Sequence, residues 1–278
     1  MKTTFIQPAS TFTMPAPSTE DDLDAILGPR MSTELSPYPS DILHAVGRFV
    51  TLEGLRVHHL PSLYKNLGLP DNDSVFQFLP QLRPDSPEHF GEVLKTYMER
   101  GFIFYAIKSD PKRLSPSPQH DESGPSARSE VTGLIAFLDI ERSHRALEVG
   151  GVVFGPSLQR TTAATEAVYL LLCHAFGDDH VALSPSYRRV VWKCNELNKA
   201  SRRAAERLGF VYEGTFRKHM IYGGRSRNSE FFSILDDEWN SHVKAGLESW
   251  LSDDNFDSEG KQISRLEECR ERCKVSKT

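Results

Sequence analysis

The sequence predicts an α/β fold in which helices flank a mixed β-sheet. Three observations predict it. Strand-like runs come first, strands and helices then alternate between residues 146 and 208, and a hairpin pattern closes the series.

"GRFVTLEGL" (47–55) alternates apolar and polar residues, the signature of a half-buried strand. "HHLPSLYKNLG" and "PEHFGEVLKTYMERG" (87–101) have helical periodicity, and "FIFYAI" (102–107) is an apolar strand run. Residues 109–130, "SDPKRLSPSPQHDESGPSARSE", are polar and rich in Pro and Ser, so a mobile loop is expected there. "VTGLIAFLDI" (131–140) and "ALEVGGVVFG" (146–155) are strands, the second with Gly150 and Gly151 where a bulge would fall. A helix then runs to Phe176 and ends at Gly177, a residue that accepts the left-handed capping conformation. "YRRVVWKCN" (187–195) is a strand with Val191 and Lys193 on one face and Val190, Trp192 and Cys194 on the other. Asn198 opens a short helix that Gly209 stops. "FVYEGTFRKHMIY" and "NSEFFSILD" form a hairpin across "GGRSR", and "DEWNSHVKAGLESWL" reads as a last helix.

Residues 1–42, rich in Thr, Ser and Pro, are expected to be a disordered tail. Residues 43–240 form one domain, and 241–278 a helix followed by a solvated tail. A 38% hydrophobic content is enough for a sizeable core, and a net charge of −5 gives no footing for nucleic acid. No apolar run approaches the roughly 20 residues of a membrane span. Four cysteines, with Cys269 and Cys273 in a charged segment, favour neither a disulfide framework nor zinc, so no metal is expected. The expected setting is the cytoplasm, with access to the nucleus left open.

The helix after residue 155 starts unusually. "QRTTAA" (159–164) holds small and hydroxylated residues and a cation, with no acid before Glu166. Helix starts ordinarily favour acids, which complement the positive end of the helix dipole. A start without acid suits a bound anion instead, because its amides and dipole attract phosphate and an acid would repel it.

Strand 146–155, this helix, strand 187–195 and "N-x-x-S-x-x-A-x-x-x-L-G-F" (198–210) together resemble the GNAT acetyltransferase superfamily, most closely its RimJ/RimL-like branch. The likeness covers residues 46–240. It implies the GNAT fold, with acetyl-CoA as co-substrate in a cleft where the two strands splay apart. The superfamily's Gln/Arg-x-x-Gly-x-Gly/Ala pattern places Gln159 and Ala164 at its ends, with Thr162 standing where Gly is usual. By resemblance, amides over Arg160, Thr161, Thr162, Ala163, Ala164 and Thr165 hold the pyrophosphate, and Val152, Val153 and Phe154 lie beside the pantetheine arm. Asn198 contacts that arm, and Arg202 or Arg203 reaches the 3′-phosphate.

Acetyl transfer to an amine needs a neutral amine, a held oxyanion and a proton for the departing thiolate. Glu148, just before the glycines and facing away from Val149, is the candidate base, with a structural ion pair as its competing role. Glu166 is expected to be structural. Ser201 is the candidate acid, because Ala205 occupies the position where many relatives carry a Tyr. Cys194 reads as cleft lining, and Trp192, Tyr212, Phe216 and His219 as core or pocket wall. The implied activity is N-acetylation of a primary amine by direct attack, with a small amine or metabolite favoured over a protein N-terminus, in a monomer or homodimer. A CoA-binding scaffold and an O-acetyltransferase are the alternatives.

Overall fold

The computed structural model describes residues 24, 27–79, 83–110, 114, 129–178 and 183–275. Residues 1–34 and 35–278 are two separate units. In the first, the Gly28 amide donates to the Asp24 carbonyl at 2.9 Å. The expected tail up to residue 23 and most of the expected loop at 109–130 lie outside the described residues.

The second unit carries, among the described residues, an eight-stranded sheet. Its strands are β1 (His44–Val46), β2 (Val50–Gly54), β3 (Ile103–Ser109), β4 (Glu130–Glu141), β5 (Ala146–Phe154), β6 (Arg189–Asn195), β7 (Val211–Tyr222) and β8 (Arg225–Leu235). Their order is β1-β2-β3-β4-β5-β6-β8-β7, antiparallel throughout except between β5 and β6. The five longer helices are α1 (Pro87–Met98), α2 (Thr162–Phe176), α3 (Lys199–Leu208), α4 (Lys244–Leu251) and α5 (Leu266–Val275).

Alternation along β3 divides the core between the two faces of the sheet. Tyr105 and Ile107 join Leu52, Phe137 and Val149 beneath Ala167, Val168, Leu171 and Leu172 of α2. Phe104 and Ala106 meet Leu63, Leu67, Phe90 and Leu94 on the other face. Each fully buried Leu or Phe contributes about 1.5–3 kcal/mol, so α2 is fixed by its apolar face. Its ends follow local rules. Thr161 Oγ1 accepts from the Ala164 amide at 3.2 Å, and Gly177 takes φ 76° as its cap.

Glu166 ties α2 to the start of the sheet. Its carboxylate accepts from the amides of Arg48, Phe49 and Val50 at 2.8, 2.7 and 2.9 Å, closing the β1–β2 turn. A Cβ on Gly47 would lie 2.5 Å from that carboxylate, so the turn needs glycine there. Burial raises the Glu166 carboxyl, and the three amides oppose the rise.

Two expected boundaries shift. Ser36 and Leu43 are buried, and Ser36 Oγ donates to the Ser186 carbonyl, so the chain packs from residue 35 rather than 43. Beyond α4 the chain is not a solvated tail, because α5 buries Leu266 and Cys269 in the α2 core. In both places a few buried residues anchor a segment that composition marks as polar. Among the described residues, no helix is long and apolar enough to cross a membrane.

Candidate active site

The parallel pairing of β5 and β6 lasts three residues. Ala146 faces Arg189, Leu147 faces Val190 and Glu148 faces Val191, after which the strands part. A bulge follows at once, since Leu134 pairs with Val153 while Ala136 pairs with Gly150. Gly151 takes φ 55° there, and a Cβ would press on Phe104 at 3.1 Å. A cleft of about 1690 Å³ opens through the gap, larger than the 300–1,000 Å³ of an ordinary small-molecule pocket.

Glu148 stands at the apex. It is 7% exposed, and a Cβ on Gly150 would come within 3.0 Å of its Oε1, so the glycine makes room for the carboxylate. Burial pushes the Glu148 carboxyl up to about 7, with Lys193 opposing the rise and Asp139 adding to it. Lys193 Nζ lies 2.7 Å from Glu148 Oε2 and 2.5 Å from Asp139 Oδ2. The first contact is an ion pair that holds the buried Oε2. Asp139 adopts φ 47° beside the irregular pairing of Leu138 and Glu141, which aims its carboxylate at Lys193. Val191 opposes Glu148, and Lys193 shares Val191's face, so strand alternation together with this register identifies the lysine.

The α2 start lines the cleft through Gln159, Arg160, Thr161, Thr162, Ala164 and Thr165 and carries no acid in its first turn. Arg160 at φ 63° reverses the backbone just before the helix, the kind of turn that gathers amides into an anion-binding concavity. Gln159 Nε2 donates to the Phe154 carbonyl at 2.9 Å and so joins this turn to β5. Among the six expected amides, those of Ala163 and Ala164 are engaged with partners outside the helix's own backbone ladder. Ala163 donates to the Leu114 carbonyl at 2.9 Å and lies outside the cleft lining, and Ala164 donates to Thr161 Oγ1. Val152, Val153 and Phe154 line the adjacent wall.

Asn198 caps α3 by accepting from the Ser201 amide at 3.1 Å. Ser201 Oγ accepts from Trp192 Nε1 at 3.0 Å. Indole N–H only donates, so the Ser201 proton is left to point elsewhere, and Ser201 is an electrostatic neighbour of the Cys194 thiol. Burial pushes that thiol up to about 11, which argues against a nucleophilic thiolate. Arg202 does not line the cleft. Its guanidinium contacts Glu230 at 2.6 Å and Glu206 at 3.0 Å. Arg207, one turn and a half further along α3, lines the cleft instead, donates to Thr165 Oγ1 at 3.0 Å and lies over Trp250. Composition alone could not separate these two arginines.

Among the described residues, Glu53, His58 and His59 bring ligand atoms within 4.8 Å of one another. The Arg56 amide donates to His59 Nδ1 at 3.2 Å, so a neutral ring carries its proton on Nε2, facing Glu53 Oε2 at 3.3 Å. Such a ring offers no lone pair to a cation, and Lys108 already holds Glu53 Oε1 at 2.9 Å. The group reads as a hydrogen-bonded pair.

The family model for "Acetyltransferase (GNAT) domain" matches residues 50–211. A crystal structure of a GCN5-related N-acetyltransferase from Brucella melitensis superposes with a TM-score of 0.73 at 32% identity, over 86% of this chain and 98% of that one. The "Uncharacterized N-acetyltransferase YnaD" of Bacillus subtilis (strain 168) is 29% identical over 90 residues, 32% of this chain. The match spans 49% of that relative, about half its length. The microcin C7 self-immunity acetyltransferase MccE, solved with acetyl-CoA and AMP, shares the fold at 19% identity and a TM-score of 0.52, over 68% of this chain and 93% of that one.

Proposed function

Because the chain belongs to the GNAT acetyltransferase family, we propose that it transfers acetyl from acetyl-CoA to a primary amine by direct attack, a small-molecule amine before a protein N-terminus. The observation that carries this reading is the buried Glu148 at the point where β5 and β6 part. Bound acetyl-CoA supplies the thioester whose C–S bond breaks as the new C–N bond forms.

The residues present suit that co-substrate, because the acid-free α2 start and the Arg160 turn line one end of the cleft. With the Ala163 and Ala164 amides engaged, the Arg160 and Thr161 amides and the Arg207 guanidinium are the donors we assign to the phosphates. Val152, Val153 and Phe154 flank the arm, and Asn198 adds a polar contact. Amides at the Gly150–Val152 bulge hold the carbonyl oxygen. Glu148, which lines the cleft, takes the proton of the acceptor amine. A carboxyl titrating near 7 is well matched to that transfer at neutral pH. Ser201 gives its proton to the departing sulfur.

The test is thiol release from acetyl-CoA over a panel of amines, followed by mass spectrometry of a cell extract incubated with the protein. A mass gain of one acetyl group on an amine is the expected outcome. Binding of CoA with no thiol released from any amine would assign a scaffold role instead.

A further inference from the structure

Three cations borne outside α3 and the α2 start, Lys193, Arg227 and Arg100, line the cleft. Lys193 is matched by Asp139 and Glu148. Arg227 and Arg100 have no carboxylate within ion-pairing distance among the described residues. Arg227 Nε donates to Ser229 Oγ at 3.1 Å, and its guanidinium lies 5.1 Å from the Tyr222 ring centroid. Arg100 lies 5.6 Å from the Tyr97 ring. Tyr222, Arg227 and Glu148 line the same cleft, and the Tyr222 ring has both Arg227 and Glu148 as electrostatic neighbours. Burial, Lys193 and Arg227 all hold His219 toward its neutral form, so it adds no further positive charge. Phe102 and Phe104 complete an aromatic wall.

A half-buried guanidinium that lacks an acid keeps most of its fork of donors for a carboxylate or phosphate. A polyamine entering here would set its second ammonium against Arg227 and Arg100. We propose that Arg227 grips an anionic group of the acceptor, so that the substrate is an amine bearing a carboxylate or phosphate a few bonds away, with an apolar body against Tyr97, Phe102 and Tyr222. This rests on the acetyl-transfer reading for the fate of the amine, though the anion site can be measured without turnover.

The experiment titrates the CoA-loaded, full-length protein by calorimetry with L-phenylalanine against phenethylamine, O-phosphoethanolamine against ethanolamine, and spermidine. The member carrying the carboxylate or phosphate should, in at least one pair, bind at least about tenfold tighter than the partner that lacks it, and which pair shows the gap separates carboxylate from phosphate. R227Q should collapse that ratio to about one, with R227K restoring part of it, because a lysine keeps charge without the fork. Equal affinities within both pairs, or spermidine binding tightest, would overturn the proposal. A tenfold loss of CoA affinity in R227Q would assign the arginine to the co-substrate and overturn it as well. Thiol release over the same panel reads the transfer separately, since an anion-dependent affinity without released thiol would remove the acetyl-transfer reading and leave the anion site standing.

Discussion

Lys193 Nζ sits 2.7 Å from Glu148 Oε2, directly beyond the last residue pair that joins β5 to β6. The lysine does not fully offset burial, and the carboxyl still titrates near 7.

The pH–rate profile should show an acid limb near pH 7, because only the carboxylate can accept the amine's proton. E148Q should lower kcat by about 10²–10⁴ and move the remaining activity to alkaline pH, where the amine deprotonates unaided. K193M should move the limb above 7, since the positive charge that lowers the carboxyl is gone. An E148Q profile identical to wild type would give the residue a structural role.

Stability should vary with pH through the same group. The folded carboxyl lies above its ordinary 4.5, so the folded protein keeps a proton that the unfolded chain releases between 4.5 and about 7. That contribution is complete below 4.5 and is lost as pH rises through 7, a change of about 3 kcal/mol. Lys193 stays charged across this window, its own value being raised by Glu148 and Asp139 against burial, which lowers it. Urea unfolding at pH 5 and pH 8 should show E148Q gaining on wild type by about 2–3 kcal/mol on the alkaline side. Parallel pH dependences would show that the carboxyl titrates normally.

E166A should destabilise without touching the chemistry. It leaves three amides without their acceptor, two of them on the buried residues Phe49 and Val50. The expected cost is about 3 kcal/mol or more, read by denaturant unfolding. G47A should act on the same turn, because its Cβ and the Glu166 carboxylate claim one space. CoA affinity of folded E166A should match wild type, and a selective loss of that affinity would place Glu166 in the site.

The phosphate end can be separated by charge. Ala164 lines the cleft, so A164E sets a carboxylate against the diphosphate and should reduce CoA affinity more than about 100-fold. R207A should weaken it about tenfold, while R202A should cost stability alone, by unpairing the buried Glu230. Calorimetry with CoA reads all three, and an unchanged A164E affinity would remove the cradle.

S201A should reduce kcat by about 10–100-fold with little change in KM, because its proton is needed only as the sulfur departs. Steady-state kinetics with a fixed amine check this. An unaltered rate would hand the proton to water.

Sequence by itself determined the order of the elements and the ends of the helices. Gly177, Gly209 and Asn198 cap where local rules place them, because a cap is decided by groups three or four residues apart, whereas the helix expected from Gln159 begins at Thr162 with Thr161 as its cap. It also determined the acid-free start of α2 and the bulge at Gly150 and Gly151, again from neighbouring residues. Tertiary structure alone decided that Lys193 and Asp139 converge on Glu148, that Arg207 rather than Arg202 faces the cleft, and that Glu166 is spent on the β1–β2 turn. It also brought residues 35–43 and 266–269 onto the body. Those contacts join segments tens of residues apart, and a one-residue slip in strand register would turn each side chain to the opposite face. Periodicity names the face a residue occupies, but the register of distant strands chooses its neighbour.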